Sequence, residues 1–299
     1  MMKKFLAFTL ALLLLLSLVA CGGTQPPAAT PALDAPAYES YQEPPASPPD
    51  LALTVLRVGM ECGYAPFNWT QVDDSNGAVP LADGTFAGGY DVEIAKRVAE
   101  VLSLELEVQK VDWEGLPPSL TSDRIDAIIA GMTDTEDRRL TLSFSNRYYT
   151  SDLVLVVTAD GPYADATSLA DFKDATVTAQ LGTLHYDVID QIDGVKKADP
   201  MQDFNAMIAA LTSGRIDAYV SERPGAISAQ ISNPSLSYVS FEGDAGFDYE
   251  TGDVSISIGV RQSDEDLRQA LNYALAQISD DERQAFMEGA LRNQPLVAE

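Results

Sequence analysis

The chain has 299 residues, of which 46% are hydrophobic, and this is enough to build a substantial core and two lobes. It holds 45 acidic and 19 basic residues, which give a formal net charge of −26 at pH 7. Because such a surface repels phosphate backbones, the charge excludes nucleic acid as an expected partner and otherwise indicates only solubility.

Residues 1–20 are predicted to be an export signal. A basic start, MMKK, precedes the apolar run FLAFTLALLLLLSLVA, and Cys21 follows directly. This run is short for a membrane-spanning helix, which needs about 20 apolar residues, and an uncleaved anchor helix is the alternative. The segment LVAC resembles a bacterial lipoprotein box, which implies cleavage before Cys21 and acyl chains such as palmitate attached there. We therefore predict an extracytoplasmic protein, lipid-anchored to the outer face of the cytoplasmic membrane or in the periplasm.

A lipidated, proline-rich tether is predicted to follow at residues 21–50. It carries prolines at positions 26, 27, 31, 36, 44, 45, 48 and 49, and proline disfavours helix and favours extended chain. The chain has two cysteines, Cys21 and Cys62. Lipidation of Cys21 would leave Cys62 without a partner cysteine, so no internal disulfide is expected. Cys62 is predicted to be a small, buried, hydrophobic residue.

Strand and helix patterns alternate from residue 51. The first strand pattern is LRVGM, in which Leu56, Val58 and Met60 share one face. A helix pattern follows in DVEIAKRVAEVL, with Asp91 as a plausible N-cap. After the strand LELEV, the segment LPPSLTSDRIDAIIAG predicts a short helix that enters a buried strand. The alternation favours parallel α/β units.

A short repeat divides the globular part of the chain. The segment LTSDRIDAIIAG begins at Leu120 and LTSGRIDAYVSE at Leu211, and seven of their first eight positions agree. Each copy follows a strand, a loop and a helix, so two similar lobes are favoured over chance agreement. Ligands of open α/β sheets bind beyond the carboxyl ends of the strands. The loops ECGYAPF, GMTDTEDR, QLGTLHY and SERPG are therefore predicted to line one cleft. A further strand, VSISIGVR, and two amphipathic helices close the chain.

The loop GMTDTEDR is a candidate anion site. Thr133 and Glu136 have the spacing of a capping box, so a helix is predicted to begin directly after Thr133. Its first amides would point toward Gly131 and Met132 and attract an anion. Arg138 can add a planar fork of donors that suits a carboxylate. From the spacing alone, a ligand-binding Arg138 and a solvated one are equally favoured.

Several segments resemble one family when they are taken in chain order: GYAPFNW, GGYDVEIAKRVAEVL, RIDAIIAGMTDTEDRR, FSNRYYTS and LGTLHYDV. They are similar to the extracytoplasmic solute-binding proteins of polar amino-acid ABC transporters, cluster C of the periplasmic binding proteins, over about residues 54–294. The resemblance implies a two-lobed α/β fold of the periplasmic-binding-protein type (type II). Each lobe would be a mainly parallel sheet flanked by helices, with two crossing segments as the hinge. Lobe 1 would comprise residues 51–151 and 253–299, and lobe 2 residues 152–252.

The resemblance also assigns ligand-binding roles. Arg138 would bind the α-carboxylate of an amino acid, Thr133 would supply a hydroxyl, and Gly131 a backbone contact. The amides of Gly182 and Thr183 would add to the carboxylate site. Arg139 is expected to stay solvated.

The opposite end of the ligand would meet Glu222, which falls where the family often has an aspartate that binds the α-ammonium. Glutamate is one methylene longer, and a carboxylate at the start of a helix is the alternative interpretation. His185, the only histidine, lies in the loop QLGTLHY, where a cleft contact and a solvated position are equally favoured.

The ligand side chain would meet Glu61 and Tyr64, and the position of Trp113 carries an apolar lid in the family. A carboxylate with aromatic faces suits a cationic side chain, although relatives with an acid here also resemble cystine binders. Core positions are the alternative for Tyr64 and Trp113.

The sequence thus predicts the amino-acid-binding component of an ABC importer, a monomer without enzymatic activity, metal or cofactor, that closes its lobes over a polar amino acid, with a cationic one favoured. Its partners would be the free amino acid, the membrane permease subunits and, through the lipid anchor, the membrane. A sensor that presents its closed form to a receptor is one alternative. The other is an arogenate dehydratase-like enzyme with Cys62 as nucleophile and His185 as base.

Overall fold

The computed structural model describes residues 42–241, 243–249 and 251–295. The predicted signal, the proposed lipidation site Cys21 and the tether up to residue 41 lie outside the described residues. In the part of the chain that is described, no helix combines the length and apolarity needed to cross a membrane.

The strands and helices alternate along the chain as the sequence predicts. The strands are β1 (Val55–Met60), β2 (Gly63–Tyr64), β3 (Asn68–Gln71), β4 (Val79–Pro80), β5 (Phe86–Gly88), β6 (Glu105–Lys110), β7 (Ala127–Ile128), β8 (Leu142–Thr150), β9 (Leu153–Thr158), β10 (Thr176–Thr178), β11 (Lys196–Lys197), β12 (Ala218–Glu222), β13 (Leu236–Val239) and β14 (Ser255–Arg261). The helices are α1 (Tyr90–Leu102), α2 (Leu116–Thr121), α3 (Glu136–Arg139), α4 (Leu184–Asp187), α5 (Phe204–Thr212), α6 (Arg223–Ser232), α7 (Glu265–Ala276) and α8 (Asp280–Asn293).

Within the described residues, two five-stranded sheets carry the fold, in the orders β6-β1-β7-β14-β8 and β11-β10-β12-β9-β13. The α/β class is confirmed, and both sheets are mainly parallel, because four of the five strands in each run in the same direction and one is reversed, β14 in the first sheet and β9 in the second. β1 is parallel to β6 and β7, whereas β14 is antiparallel to β7 and β8. The second sheet has the same mixture.

In both sheets the sequence repeat forms the same turn from a helix into a strand, which we call the corner. The carboxylate of Asp126 accepts a hydrogen bond from the Arg57 N–H of β1 at 3.0 Å. The carboxylate of Asp217 accepts one from the Thr176 N–H of β10 at 2.7 Å. In each copy this bond ties the strand that follows the corner to its parallel neighbour. The agreement between the two segments therefore has a structural cause.

Two chain crossings connect the sheets, and they run side by side. The hydroxyls of Thr150 and Ser255 are 2.8 Å apart and buried. The Ser151 N–H donates to the Val254 carbonyl at 3.3 Å. We propose that lobes 1 and 2 have the limits predicted from the sequence, with these crossings as the hinge.

The start of α1 differs from the prediction. Gly89 holds the N-cap position with φ of +123°, where a Cβ atom would lie 2.3 Å from the Phe67 carbonyl oxygen. Asp91 is not the cap, because its fully buried carboxylate accepts hydrogen bonds from Asn68 Nδ2 at 2.8 Å and the Tyr148 hydroxyl at 2.7 Å. Asp91 thus joins α1 to β3 and β8.

The last part of the predicted tether lies against lobe 1. The Gln42 N–H donates to Asn146 Oδ1 and the Gln42 carbonyl accepts from Asn146 Nδ2, both at 3.0 Å. Arg268 of α7 also donates to the Gln42 side chain. The chain is therefore fixed to the folded part from residue 42, eight residues before the predicted end of the tether.

Candidate functional site

The four predicted loops meet at one small cavity between the two large sheets. It is lined from both lobes, by Tyr64, Thr133, Arg138, Thr183, His185 and Glu222 among others. The space open to the centre of a water molecule is about 20 Å³, room for about one water. Residues from four loops that are far apart in the sequence thus line one cavity.

Arg138 is hydrogen-bonded to both lobes. Its Nη1 donates to the Thr133 carbonyl at 2.7 Å and to the Thr133 hydroxyl at 2.6 Å, and its Nη2 donates to the Gly182 carbonyl at 3.1 Å. The guanidinium carbon lies 5.2 Å from the ring centroid of Trp113. Burial lowers the pKa of Arg138 to about 10, so the group still carries its charge at neutral pH. The cavity therefore holds one fixed cation.

The predicted helix start at Thr133 is wrong. Thr135 is the N-cap of α3, and its hydroxyl accepts from the Arg138 N–H at 3.4 Å. The Thr133 hydroxyl is occupied by the guanidinium instead, which moves the cap two residues along the chain. Met132 packs in a buried apolar cluster and does not line the cavity. Arg139 is half exposed and pairs with Asp134 at 2.8 Å.

Glu222 and His185 form a second polar pair in the cavity. Glu222 Oε1 lies 3.1 Å from His185 Nε2, and both side chains are buried. Burial raises the pKa of Glu222 to about 8. Burial and the nearby charge of Arg138 lower the pKa of His185 to about 4. Among the described residues, Glu222 Oε2 and His185 Nδ1 have no hydrogen-bond partner. Glu222 stands at the start of α6 but makes no side-chain cap there.

Glu61 lies behind the cavity and not in its lining. Its Oε2 accepts from Gln180 Nε2 at 3.0 Å, while its Oε1 has no partner among the described residues. Burial, opposed by the bond from Gln180, raises the pKa of Glu61 to about 7. Gln180, which does line the cavity, thus separates Glu61 from it. Gln180 is inside the loop QLGTLHY, but nothing in the sequence singled it out.

Tyr64 reaches from lobe 1 to lobe 2. Its ring stacks on Phe204 with centroids 3.9 Å apart and an angle of 9° between the planes. Glycines lie on two sides, since a Cβ atom at Gly131 or Gly225 would come within 3.1 or 3.2 Å of the ring. Tyr64 belongs to the buried apolar cluster and also lines the cavity, so a core position and a position that faces the cavity are compatible for this residue.

Gly131 is fixed by the buried network of Asp91. Its N–H donates to the Tyr148 hydroxyl at 3.2 Å, and that hydroxyl donates to Asp91. Gly131 has φ of +62°, a backbone conformation that glycine adopts without strain. The loop that carries Arg138 is therefore anchored at its first residue.

Cys62 and His185, the nucleophile and the base of the enzymatic alternative, do not line the same cavity. Cys62 lines a separate groove, whereas His185 lines the small cavity. Burial raises the pKa of the Cys62 thiol to about 12, so the nucleophilic thiolate is not formed at neutral pH. Among the described residues, no group of three or more His, Cys, Asp and Glu side chains is placed to hold a metal ion.

Comparison with known proteins gives the family. Residues 56–288 match the bacterial extracellular solute-binding proteins, family 3. The arginine-binding extracellular protein ArtP of Bacillus subtilis (strain 168) is 27% identical over 224 residues, which are 74% of this chain and 73% of ArtP. The L-cystine-binding protein TcyJ of Escherichia coli (strain K12) is 29% identical over 228 residues, 76% of this chain and 78% of TcyJ.

Solved structures agree with that match. The arginine-bound form of a truncated ArgBP from T. maritima superposes with a TM-score of 0.62 at 30% identity, over 76% of this chain and 97% of that one. ArtP and TcyJ are named for the amino acid that they bind, and the ArgBP structure holds arginine. The chain belongs to the bacterial extracellular solute-binding proteins of family 3 and has the type II periplasmic-binding-protein fold.

Proposed function

We propose that this protein binds a free amino acid in the cavity between its lobes and delivers it to the permease of an ABC importer. The observation that carries the proposal is the pair Arg138 and Glu222, a cation from lobe 1 and a carboxyl group from lobe 2 that line one cavity. An amino acid carries the complementary carboxylate and ammonium, and charges that leave water need such partners.

The contacts of Arg138 support a role in lobe closure. Its guanidinium already bridges Thr133 of lobe 1 and the Gly182 carbonyl of lobe 2. A ligand carboxylate between Arg138 and the amides of Gly182 and Thr183 would strengthen the same bridge. Binding would then stabilise the closed form, because a ligand shifts the equilibrium toward the conformation that it contacts best.

We further propose a cationic side chain for the ligand. Glu61 is buried, its Oε1 has no hydrogen-bond partner among the described residues, and it lies behind Gln180, which lines the cavity. The rings of Tyr64 and Trp113 line the same cavity and suit a cation. Among the relatives, ArtP is named for arginine, which is such a ligand, and TcyJ for cystine, which is not.

A thermal-shift screen of the twenty amino acids plus ornithine and cystine tests this function. A ligand that binds only the folded protein raises its melting temperature. We expect arginine, lysine or ornithine to give the largest rise, and Arg138→Ala to abolish it. The same melting temperature with every amino acid would contradict the proposed function, whereas the largest rise with a neutral amino acid would contradict only the cationic preference.

Attachment to the outer face of a membrane through Cys21, as a monomer, is the remaining part of the proposal. The lipoprotein-like segment LVAC and the extracytoplasmic relatives support it. Cys21→Ser should release the protein from membranes or leave its signal uncleaved, as read from membrane fractions and intact mass. Unchanged membrane attachment with correct cleavage would contradict lipidation.

A further inference from the structure

His185 is the only histidine of the chain, and it lies against the proposed ammonium acceptor. Its Nε2 is 3.1 Å from Glu222 Oε1, with 10% and 3% of the two side chains exposed. The other polar atoms of the pair, His185 Nδ1 and Glu222 Oε2, are buried and have no partner among the described residues. One oxygen of Glu222 is thus held by the protein and the other is available to a ligand.

Other charged groups surround the pair. Arg138 and Asp253 line the same cavity, and the Tyr64 phenol faces it from the first loop. Glu61 is separated from it by Gln180. On the helices that carry the pair, Asp187 is exposed and Arg223 is compensated by an ion pair with Asp152. The groups to be considered beside the pair are therefore Arg138, Asp253 and Glu61.

We propose that His185 is a positioning residue for Glu222, and that the pair releases one proton when the ammonium of the amino acid binds. The inference rests on the proposed function. Without ligand, the pair carries one proton more than a neutral imidazole beside an ionised carboxylate. This proton lies between Nε2 and Oε1. The arriving ammonium donates a hydrogen bond to Oε2, and that proton leaves to water. At the Glu222 end of the cavity, one positive charge enters as another leaves.

Physical chemistry supports the exchange. A lone carboxylate in a buried cavity is costly, and the pKa of Glu222 is raised by burial to about 8, so the pair is protonated at pH 7. A cation in contact with Oε2 favours the ionised carboxylate instead. Binding must then expel a proton below pH 8, and affinity should fall up to about tenfold per pH unit as the pH falls. Above pH 8 the pair should no longer contribute to the pH dependence.

Calorimetry with L-arginine tests the exchange. Titrations at pH 7.0 in phosphate and in Tris, which differ in ionisation enthalpy, give the number of protons released. We expect close to one proton from the pair in the Glu61→Gln variant, because Glu61, whose pKa is raised to about 7, could also release a proton to a cationic ligand and is removed by this substitution. Binding without proton release in Glu61→Gln would overturn the inference and leave the proposed function standing. No binding of arginine or any other amino acid by wild type would overturn both.

The role of His185 is tested by two substitutions. His185→Phe keeps a ring but removes the nitrogen that holds Oε1, so we expect about tenfold weaker arginine binding at pH 7 and a pH profile moved to higher pH. His185→Gln, whose amide can reach Oε1, should restore most of the affinity at pH 8. A wild-type affinity and pH profile in His185→Phe, at an unchanged melting temperature, would show that His185 does not position Glu222.

Discussion

The two copies of the repeat build the same corner, but one leads to a cation and the other to a carboxyl group. In lobe 1 the corner is held by Asp126 and leads through β7 to Arg138, whereas in lobe 2 it is held by Asp217 and leads through β12 to Glu222. The corner keeps each strand in register. The chemistry is set by the residues that follow the strand.

This difference explains how two similar lobes can recognise a molecule with two unlike ends. Each lobe presents the carboxyl end of a central strand to the cavity, so one scaffold places a cation and the other a carboxyl group. Substitutions at the corners and at the strand ends should therefore have separable effects, on stability and on binding respectively.

The largest effect is expected from Arg138→Ala. A ligand carboxylate would lose its charged partner inside a closed cavity, which weakens binding by about 2–5 kcal/mol, or tens to thousands of fold. Arg139→Ala is the matched control, because Arg139 is half exposed and pairs with Asp134 outside the cavity lining. Calorimetry should show little change for the control, and equal losses for both variants would mean that the wrong arginine was assigned.

A smaller but general loss is expected from Glu222→Gln. Hydrogen bonds to charged groups contribute about 1.5–3 kcal/mol, so every amino acid should bind about ten to a hundred times more weakly. Because the pKa of Glu222 is raised in the free protein, wild-type affinity for a neutral ligand such as glutamine should increase from pH 6 to pH 8, and that of Glu222→Gln should not. A wild-type pH profile in the variant would assign the titration to another group.

A selective loss is expected from Glu61→Gln. The substitution keeps the size and a hydrogen-bonding group but removes the charge, so arginine should bind about tenfold more weakly while glutamine changes less. Testing both ligands on both proteins cancels any damage to folding. Equal weakening of the two ligands would be incompatible with a carboxylate that faces a cationic side chain.

The corner carboxylates should affect stability alone. Asp126→Asn and Asp217→Asn each weaken a partly buried hydrogen bond to a strand N–H, for a loss of about 1–3 kcal/mol in the free energy of unfolding. Although burial opposes it, the bonds from Arg57 hold the pKa of Asp126 below its usual value. The stability that Asp126 contributes is therefore present at neutral pH and lost in acid, so the difference between wild type and Asp126→Asn should shrink below about pH 4. Changed ligand affinity in either variant would contradict the separation of roles.

The sequence was most informative where local patterns decide the structure. Alternating apolar residues located β1, apolar residues at helical spacing located the C-terminal helices, and the repeat located the two corners. It was less informative where distant groups compete for one side chain. Asp91 is bound by Tyr148, and the Thr133 hydroxyl by the guanidinium of Arg138, so neither caps a helix as its spacing predicts.

The cavity shows the same limit. Tyr64, Arg138 and Glu222 were predicted to lie in it and do line it, because loops after central strands must open at the same edge of a sheet. Gln180 and the stacking partner Phe204 were missed, since their roles depend on how the two lobes meet. No periodicity or motif within one segment carries that information.

The central claim is that the cavity recognises both charged ends of a free amino acid. It is tested most directly by calorimetric titration of the wild-type protein with L-arginine, with agmatine, which lacks the carboxylate, and with Nα-acetyl-L-arginine, which lacks the ammonium. Each analogue leaves one buried group without its partner, so both should bind at least about thirtyfold more weakly than arginine. An analogue that binds as tightly as arginine would contradict the account.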